Sequence, residues 1–363
     1  MKVAFVHEYL NQFGGAERML AELCALFPNA PIYTLLYDEK ATRGLFRDKI
    51  IRTSFLQSWP LAKRHHQWYP LAMPVAIEQF DFSNFDLVIS VSASFAKGII
   101  TGPKTKHICF CLTPPRFLWD QSQKFGREFG FPAPVRFLMQ PFISYLRVWD
   151  AQAADRVDEF WAISNYIGER IWAYYRKPFE VIYPPVDTSK FQITNPKSQT
   201  EEYYLMVGRL VSYKKFDIAV QAFNKLGRRL LVVGTGPEKA RLKRMAKKNV
   251  EFLGAADDDK LPELYARCRA LVFPQEEDFG IVPLEAMASG RPVIAYRGGG
   301  ALETVLEGRT GVFFDEQTAE SLADCVRNFD AGKFDPKTCR AQAEKFDIKI
   351  FQRKILEILS SKP

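Results

Sequence analysis

The sequence has little of what metal sites and disulfide frameworks are made from: 363 residues contain four His and six Cys. Cys24, Cys109, Cys111, Cys268, Cys325 and Cys339 are mostly isolated within apolar runs, the pattern of reduced, buried thiols. Only Cys109 and Cys111 are close, and with so few His a His/Cys metal site is not expected. A secretory signal is also lacking, since Met1-Lys2 runs directly into Val3-Ala4-Phe5-Val6, too short for a signal core. No stretch approaches the ~20 uninterrupted apolar residues of a membrane span. The nearest, Phe129 to Trp149, is broken by Arg136, Gln140, Arg147 and prolines. These absences predict a soluble or peripheral chain in a reducing compartment. No G-x-G-x-x-G follows the first apolar run, and Gly234-Thr235-Gly236 lacks a third glycine, which argues against a nicotinamide dehydrogenase.

What is present fits a two-domain globular chain. The length suggests two domains, and 47% hydrophobic against 25% charged residues leaves enough apolar material for real cores. Net charge is +8 and unevenly spread. Lys40, Arg43, Arg47, Lys49, Arg52, Lys63 and Arg64 face a single acid, Asp48, across one stretch. Leu87 to Arg147 carries eight basic and two acidic residues. Trp59, Trp68, Tyr69, Phe110, Phe117, Trp119, Phe125, Phe129 and Phe131 interleave with these charges. A solvated basic face over core aromatics gives this pattern. So does a surface for an anionic membrane or a lipid diphosphate, which supplies both the Coulomb and the burial contribution. No nucleic-acid motif accompanies it, so nucleic acid is not an expected partner.

The chain alternates short strand-like and helix-like runs in two series. Lys2–Glu8, Pro31–Leu36, Leu87–Ser90, His107–Leu112 and Phe160–Ile163 read as strands, with a helix over Ala16–Phe27. After a linker at Tyr183–Asp187 and polar Gln192–Glu202, strands are expected at Tyr203–Gly208, Arg229–Gly234, Val250–Leu253, Ala270–Phe273 and Pro292–Ala295. Helices are expected at Phe216–Leu226, Pro237–Lys248 and Lys349–Ser360. The fold class is therefore α/β, with two Rossmann-like parallel sheets and ligands at the carboxyl ends of their strands.

The chemistry concentrates in 273–290, read as strand end, loop and helix. Pro283 suits the first helical turn, and the amides of Gly280, Ile281 and Val282 then stand at an exposed helix N-terminus, able to hold a phosphate. Glu277 lies in the loop before it, and Glu285 follows in the helix. Carboxylates offer paired acceptors for vicinal hydroxyls, although acids near a helix start also simply stabilise its dipole. Arg209, after one strand, and Lys214, before one helix, supply countercharge for a diphosphate. Gly14-Gly15 joins a strand to a helix and admits a close ligand. Gly234-x-Gly236 and Gly298-Gly299-Gly300 read as turns or ligand contacts.

These motifs occur in collinear order: G-G-x-E-R (14–18), C-x-T-P-P-R-x-x-W-D (111–120), V-I-Y-P-P-V-D (181–187), G-R-L-x-x-x-K (208–214), G-x-G-P-E (234–238) and E-D-F-G-I-x-P-x-E-A-M-A-S-G (277–290). Together they resemble family 4 of the retaining, nucleotide-sugar-dependent glycosyltransferases, and most nearly the bacterial mannosyltransferases of exopolysaccharide and O-antigen assembly. The resemblance implies a GT-B fold, with an acceptor-binding domain over 1–185, a nucleotide-sugar domain over 186–345, and a terminal helix over 346–363 that crosses back to the first domain. It assigns Arg209 and Lys214 to the donor diphosphate, Glu285 to the ribose diol and Glu277 to donor-sugar hydroxyls. Phe279, Gly280, Ile281 and Val282 belong to the donor loop and phosphate amides, and Gly15 to the phosphate or the acceptor. Glu277, Arg209 and Lys214 are the implied catalytic set. The implied reaction needs no cofactor and no metal, and transfers mannose from GDP-mannose to a polyprenyl-diphosphate oligosaccharide. The implied place is the cytoplasmic side, peripheral to the membrane. Leu112 stands where the family commonly has His, and Lys215 where many members have Gly. A sugar-nucleotide epimerase of the same shape and a non-catalytic nucleotide-sugar binder are the competing readings.

Overall fold

Val3–Leu10 is buried along nearly its whole length, as a strand covered on both faces must be. In the computed structural model, which describes residues 1–120, 133–192, 202–256 and 260–361, it forms β1 of an all-parallel seven-stranded sheet. The others are β2 (Ile32–Tyr37), β3 (Ile51–Thr53), β4 (Leu87–Ser92), β5 (Lys106–Cys111), β6 (Glu159–Ala162) and β7 (Phe179–Val181). Their order is β3-β2-β1-β4-β5-β6-β7, with Phe5 opposite Ile32 on one side and Ile89 on the other. Helices α1 (Gly15–Leu26), α2 (Ala62–His65), α3 (Met73–Glu78), α4 (Ala133–Asp155) and α5 (Asn165–Tyr175) accompany this sheet.

The second sheet holds β8 (Tyr203–Val207), β9 (Arg229–Val233), β10 (Val250–Gly254), β11 (Ala270–Phe273), β12 (Val293–Tyr296) and β13 (Gly311–Phe314), ordered β10-β9-β8-β11-β12-β13 and parallel throughout. Its helices are α6 (Phe216–Leu226), α7 (Lys239–Met245), α8 (Leu261–Arg267), α9 (Ile281–Ala288), α10 (Ala301–Thr304), α11 (Ala319–Asn328), α12 (Pro336–Glu344) and α13 (Ile348–Ser360). The chain divides into two units, Met1–Tyr183 and Pro184–Pro363. The second begins by pairing with the start of its own last helix: the Val186 amide donates to Phe346 O at 2.9 Å.

The two sheets match the α/β reading, and most strand bounds agree to within a residue or two. Three edge strands, β3, β7 and β13, were not expected, being short and lacking the long apolar run of a central strand. Helix α4 was also missed, because Pro141 lies inside it and reads as a breaker. Phe125, Phe129 and Phe131 of the basic aromatic stretch, and 193–201 of the expected linker, fall outside the described residues.

The T-P-P-R-x-x-W-D segment after β5 is held from below. Lys97 and Asp150 form an ion pair with both side chains almost fully buried. Trp119 Nε1 and the Tyr175 hydroxyl donate to Asp150 Oδ2 at 2.9 and 2.8 Å. Arg170 donates to Thr113 Oγ1 at 2.7 Å and pairs with Asp120. The motif's polar residues Thr113, Trp119 and Asp120 thus serve, in part, to fix the loop. Replacing Lys97 by Met leaves Asp150 buried without its cation, which is expected to cost about 3–5 kcal/mol. Chemical denaturation of wild type and Lys97→Met measures it.

Candidate active site

In the second unit the functional side chains come from loops at the carboxyl ends of β8 and β11. The chain leaves β8 through Gly208 and Arg209, makes one 3-10 turn over Ser212–Lys214, and enters α6. Lys215, at the junction, has φ +54. A left-handed backbone costs a residue with a side chain roughly 1 kcal/mol, which gives a physical reason for Gly to suit this position.

Two glycines lock this loop. A Cβ on Gly234 would lie 1.9 Å from Gly208 O, and one on Gly236 2.3 Å from Leu210 O. The Leu210 amide donates to Thr235 O at 2.8 Å. The glycines after β9 therefore act through backbone contact with the Arg209 loop. The glycines after β12 do the same for the Glu277 loop: Gly300 N donates to Glu277 O at 2.8 Å, and a Cβ on Gly299 would meet that oxygen at 2.3 Å.

The two locked loops meet at one contact. Lys214 Nζ lies 2.7 Å from Glu277 Oε1, each side chain less than one-fifth exposed. Burial pulls the Lys214 ammonium toward neutrality and nearby Arg209 adds to that, but the Glu277 carboxylate outweighs both and raises its pKa. Lys214 is thus held as the cation. Arg209 is exposed beside it. Gln275, fully buried, donates from Nε2 to Glu277 Oε1 at 3.3 Å, and its own Oε1 has no partner. Nothing in residue type or spacing singles out Gln275 in the sequence.

Gly280, with φ +95, caps α9, and the Ile281 and Val282 amides occupy the first two helical positions. Such amides have no intrahelical acceptor. Glu285 is buried in α9 and its Oε2 accepts from the Tyr265 hydroxyl at 2.7 Å, a second partner not foreseen. Phe279 points inward, with its ring 5.7 Å from that of Phe346, so only its backbone is available to a ligand. Arg209, Lys214, Glu277 and Gly280–Val282 thus share one end of one sheet, with Glu285 in the helix that follows.

Gly15 belongs to the first unit, exposed in the first turn of α1. Beneath that turn His7 of β1 faces Glu17, Nε2 to Oε1 3.6 Å, both fully buried. His7 Nδ1 lies 3.0 Å from Val91 O. A carbonyl only accepts, so Nδ1 carries a proton, and Nε2 faces a carboxylate. Burial works to lower the His7 pKa, but Glu17, with Glu8, raises it overall. Burial works to raise that of Glu17, but His7 lowers it overall. Leu112 is half-buried just past β5. His107 cannot replace an imidazole there: it is five residues back, hydrogen-bonded to Ser90 Oγ at 2.8 Å, and burial drives its pKa down to about 3.

Among the described residues no cluster of three or more His, Cys, Asp or Glu could hold a metal ion. All six cysteines are free.

Two family descriptions divide the chain: Glycosyltransferase Family 4 matches residues 13–190 and Glycosyl transferases group 1 matches 187–346. The chain belongs to the family 4 glycosyltransferases. It is 32% identical over 202 residues to the GDP-mannose-dependent alpha-(1-6)-phosphatidylinositol monomannoside mannosyltransferase of Mycobacterium tuberculosis, a match covering 47% of this chain and 52% of that protein. The chain thus spans about half the length of the relatives it matches at that identity. Alpha-1,3/1,6-mannosyltransferase ALG2 of Dictyostelium discoideum is 23% identical over 377 residues, covering 86% of this chain and 85% of that one. Anabaena Alr3699/HepE, solved with UDP and glucose, superposes with a TM-score of 0.72 at 19% identity, covering 99% of this chain and 100% of that one. At that identity the likeness concerns the fold, which is GT-B.

The buried pair of the first unit predicts a pH signature. The raised His7 pKa contributes stability that is complete below the ordinary value of 6.5 and is lost as pH rises through the folded value. The depressed Glu17 pKa contributes stability complete above 4.5 and lost as pH falls through its folded value. Both are complete between pH 4.5 and 6.5. The melting-temperature advantage of wild type over His7→Gln is therefore expected to be larger at about pH 5.5 than at about pH 9.

Proposed function

We propose that this protein transfers a hexose from a nucleotide-sugar donor with retention of anomeric configuration, and that the donor is GDP-mannose. The observation that carries this reading is the Lys214–Glu277 contact, which puts a cation for phosphate and a carboxylate for sugar hydroxyls 2.7 Å apart beside exposed Arg209 and the N-terminus of α9. In this reading Arg209, Lys214 and the Gly280–Val282 amides neutralise the diphosphate as the bond from C1 to the phosphate oxygen breaks. Glu277 holds the donor sugar's hydroxyls, and Glu285, oriented by Tyr265, holds the ribose diol. The acceptor hydroxyl bonds to C1 on the face the phosphate leaves, and its proton passes to the departing phosphate oxygen. No protein nucleophile is required, and with cationic side chains and amides at the diphosphate, no divalent metal. The names of the mycobacterial and ALG2 relatives support mannose.

The acceptor in this reading is a polyprenyl-diphosphate oligosaccharide of bacterial surface polysaccharide synthesis, met at the inner face of the cytoplasmic membrane. Exposed apolar side chains of the first unit support such an encounter: Trp59, Leu61, Trp68 and Leu71 flank Lys63 and Arg64, while α4 exposes Phe137, Leu138 and Phe142. No helix among the described residues is long and apolar enough to cross a membrane. Binding to anionic vesicles is expected to fall steeply with added salt; binding that ignores salt, or none, counts against the surface.

The donor test is thermal shift against GDP, UDP, ADP and their sugar conjugates without metal. Ligand at ~100 times its dissociation constant adds about 2.7 kcal/mol. GDP selectivity strengthened by mannose is expected, and Arg209→Ala and Glu277→Ala should abolish transfer. UDP selectivity overturns mannose but leaves the site. No response to any nucleotide overturns the transferase reading.

A further inference from the structure

Gln275 stands just past the end of β11, in the run Pro274-Gln275-Glu276-Glu277 that leads to the candidate carboxylate. It is 1% exposed, whereas Glu276 is exposed and Glu277 half-buried. The backbone is held on both sides of it. Gln317 Nε2 donates to Pro274 O at 3.0 Å, and Gly300 N donates to Glu277 O at 2.8 Å. The residue therefore sits in a fixed stretch of chain, with its side chain sealed from water.

One end of its amide is used and the other is not. Nε2 donates to Glu277 Oε1 at 3.3 Å, and Gln275 Oε1 has no partner among the described residues. Turning the amide over would set two oxygens against each other, so the carboxylate decides which end faces it. A buried carbonyl without a partner destabilises the fold, and buried polar groups are rarely left so. An apolar side chain of similar size would fill the same place without that penalty. Packing therefore does not account for the amide. What it keeps is a hydrogen bond to the carboxylate of the candidate site.

Two donors converge on one oxygen of Glu277. Lys214 Nζ approaches Oε1 to 2.7 Å and Gln275 Nε2 approaches it to 3.3 Å. They differ in what can remove them. Lys214 carries a compact charge on a flexible stem, from the turn before α6. An anionic phosphate competes with Glu277 for that ammonium. Gln275 is neutral, buried and fixed by its own backbone, so a phosphate has no comparable hold on it. A partly buried carboxylate that gives up its cation needs another donor to keep one geometry. The Gln275 amide is already in place.

We propose that Gln275 is a positioning residue: its amide holds the Glu277 carboxylate ready for the donor sugar's hydroxyls once the donor phosphate has drawn Lys214 away. This rests on the transferase reading above and deepens it, since Gln275 acts on the sugar only through Glu277. The two donors then have separate tasks. Lys214 supplies a charge that can change partner, and Gln275 supplies a hydrogen bond that stays. Loss of the amide is felt where the sugar is bound, and not where the nucleotide is.

The test uses Gln275→Met, close to Gln in length and without an N–H. Affinities for GDP-mannose and for GDP are measured by calorimetry on the full chain, beside the melting temperature without ligand. GDP-mannose affinity is expected to fall about tenfold, the loss of one hydrogen bond to a charged group, with GDP affinity unchanged. The melting temperature is expected not to fall, because the unpartnered carbonyl leaves with the amide. In a Glu277→Ala background, Gln275→Met is expected to weaken GDP-mannose no further, as it must if it acts through that carboxylate. Losses that add in the double variant overturn the proposal. GDP-mannose affinity unmoved by Gln275→Met also overturns it, as does an equal fall for GDP and GDP-mannose, which makes Gln275 a support of the loop alone. If UDP is the nucleotide that binds, UDP-glucose and UDP replace the pair and the outcomes read the same way. Wild-type protein that responds to no nucleotide sugar defeats the transferase reading and this proposal with it. Wild-type binding with an unmoved Gln275→Met defeats only the role of Gln275.

Discussion

The geometry of the candidate site in the second unit depends on backbone approaching backbone closer than any side chain allows. Gly234 and Gly236 press against Gly208 and Leu210, and Gly299 and Gly300 press against Glu277 and Phe279. Each contact joins a loop after one strand to a loop after its neighbour in the sheet: β9 to β8, and β12 to β11. The Arg209–Lys214 loop and the Glu277 loop are thereby fixed from outside, and β8 and β11 are themselves adjacent. That is why two residues more than sixty positions apart can form a single 2.7 Å contact. A ligand arriving there meets groups already in position, so little ordering entropy opposes binding.

The ion pair at the candidate site of the second unit differs from two ion pairs beneath the loops of the first. In the second unit the Lys214–Glu277 pair is partly exposed, so each member can exchange its partner for a ligand group at modest desolvation cost. In the first unit two charged pairs are sealed. Lys97 with Asp150, and His7 with Glu17, are buried and serve the loops above them. One pair fixes the segment after β5 and the other underlies the first turn of α1.

Much of this was legible in the sequence because the physics is local. Buried parallel strands must be short apolar runs, so β1, β4, β5, β8, β9 and β11 stand out. Pro283 and Gly280 mark the start of α9 because one has a fixed φ and no amide, and the other accepts a left-handed cap. Lys215 could be noted from a motif, yet its strain became visible only with the backbone angle. What stayed hidden was whatever depends on partners far along the chain. Tyr265 reaches Glu285 from α8, 20 residues away along the chain. The edge strands β3, β7 and β13 are defined by the neighbour that pairs with them, not by their own composition.

By itself, then, the sequence determined the two-sheet α/β architecture and pointed to Arg209, Lys214, Glu277, Gly280–Val282 and Glu285 as candidates, because strand burial, helix starts and charge are properties of residue type and spacing. Tertiary structure alone decided that Gly234, Gly236, Gly299 and Gly300 brace loops through their backbones, that Phe279 faces the core, and that His107 is a neutral core imidazole. Those outcomes are set by distances between segments remote in the chain, and no single segment carries that information.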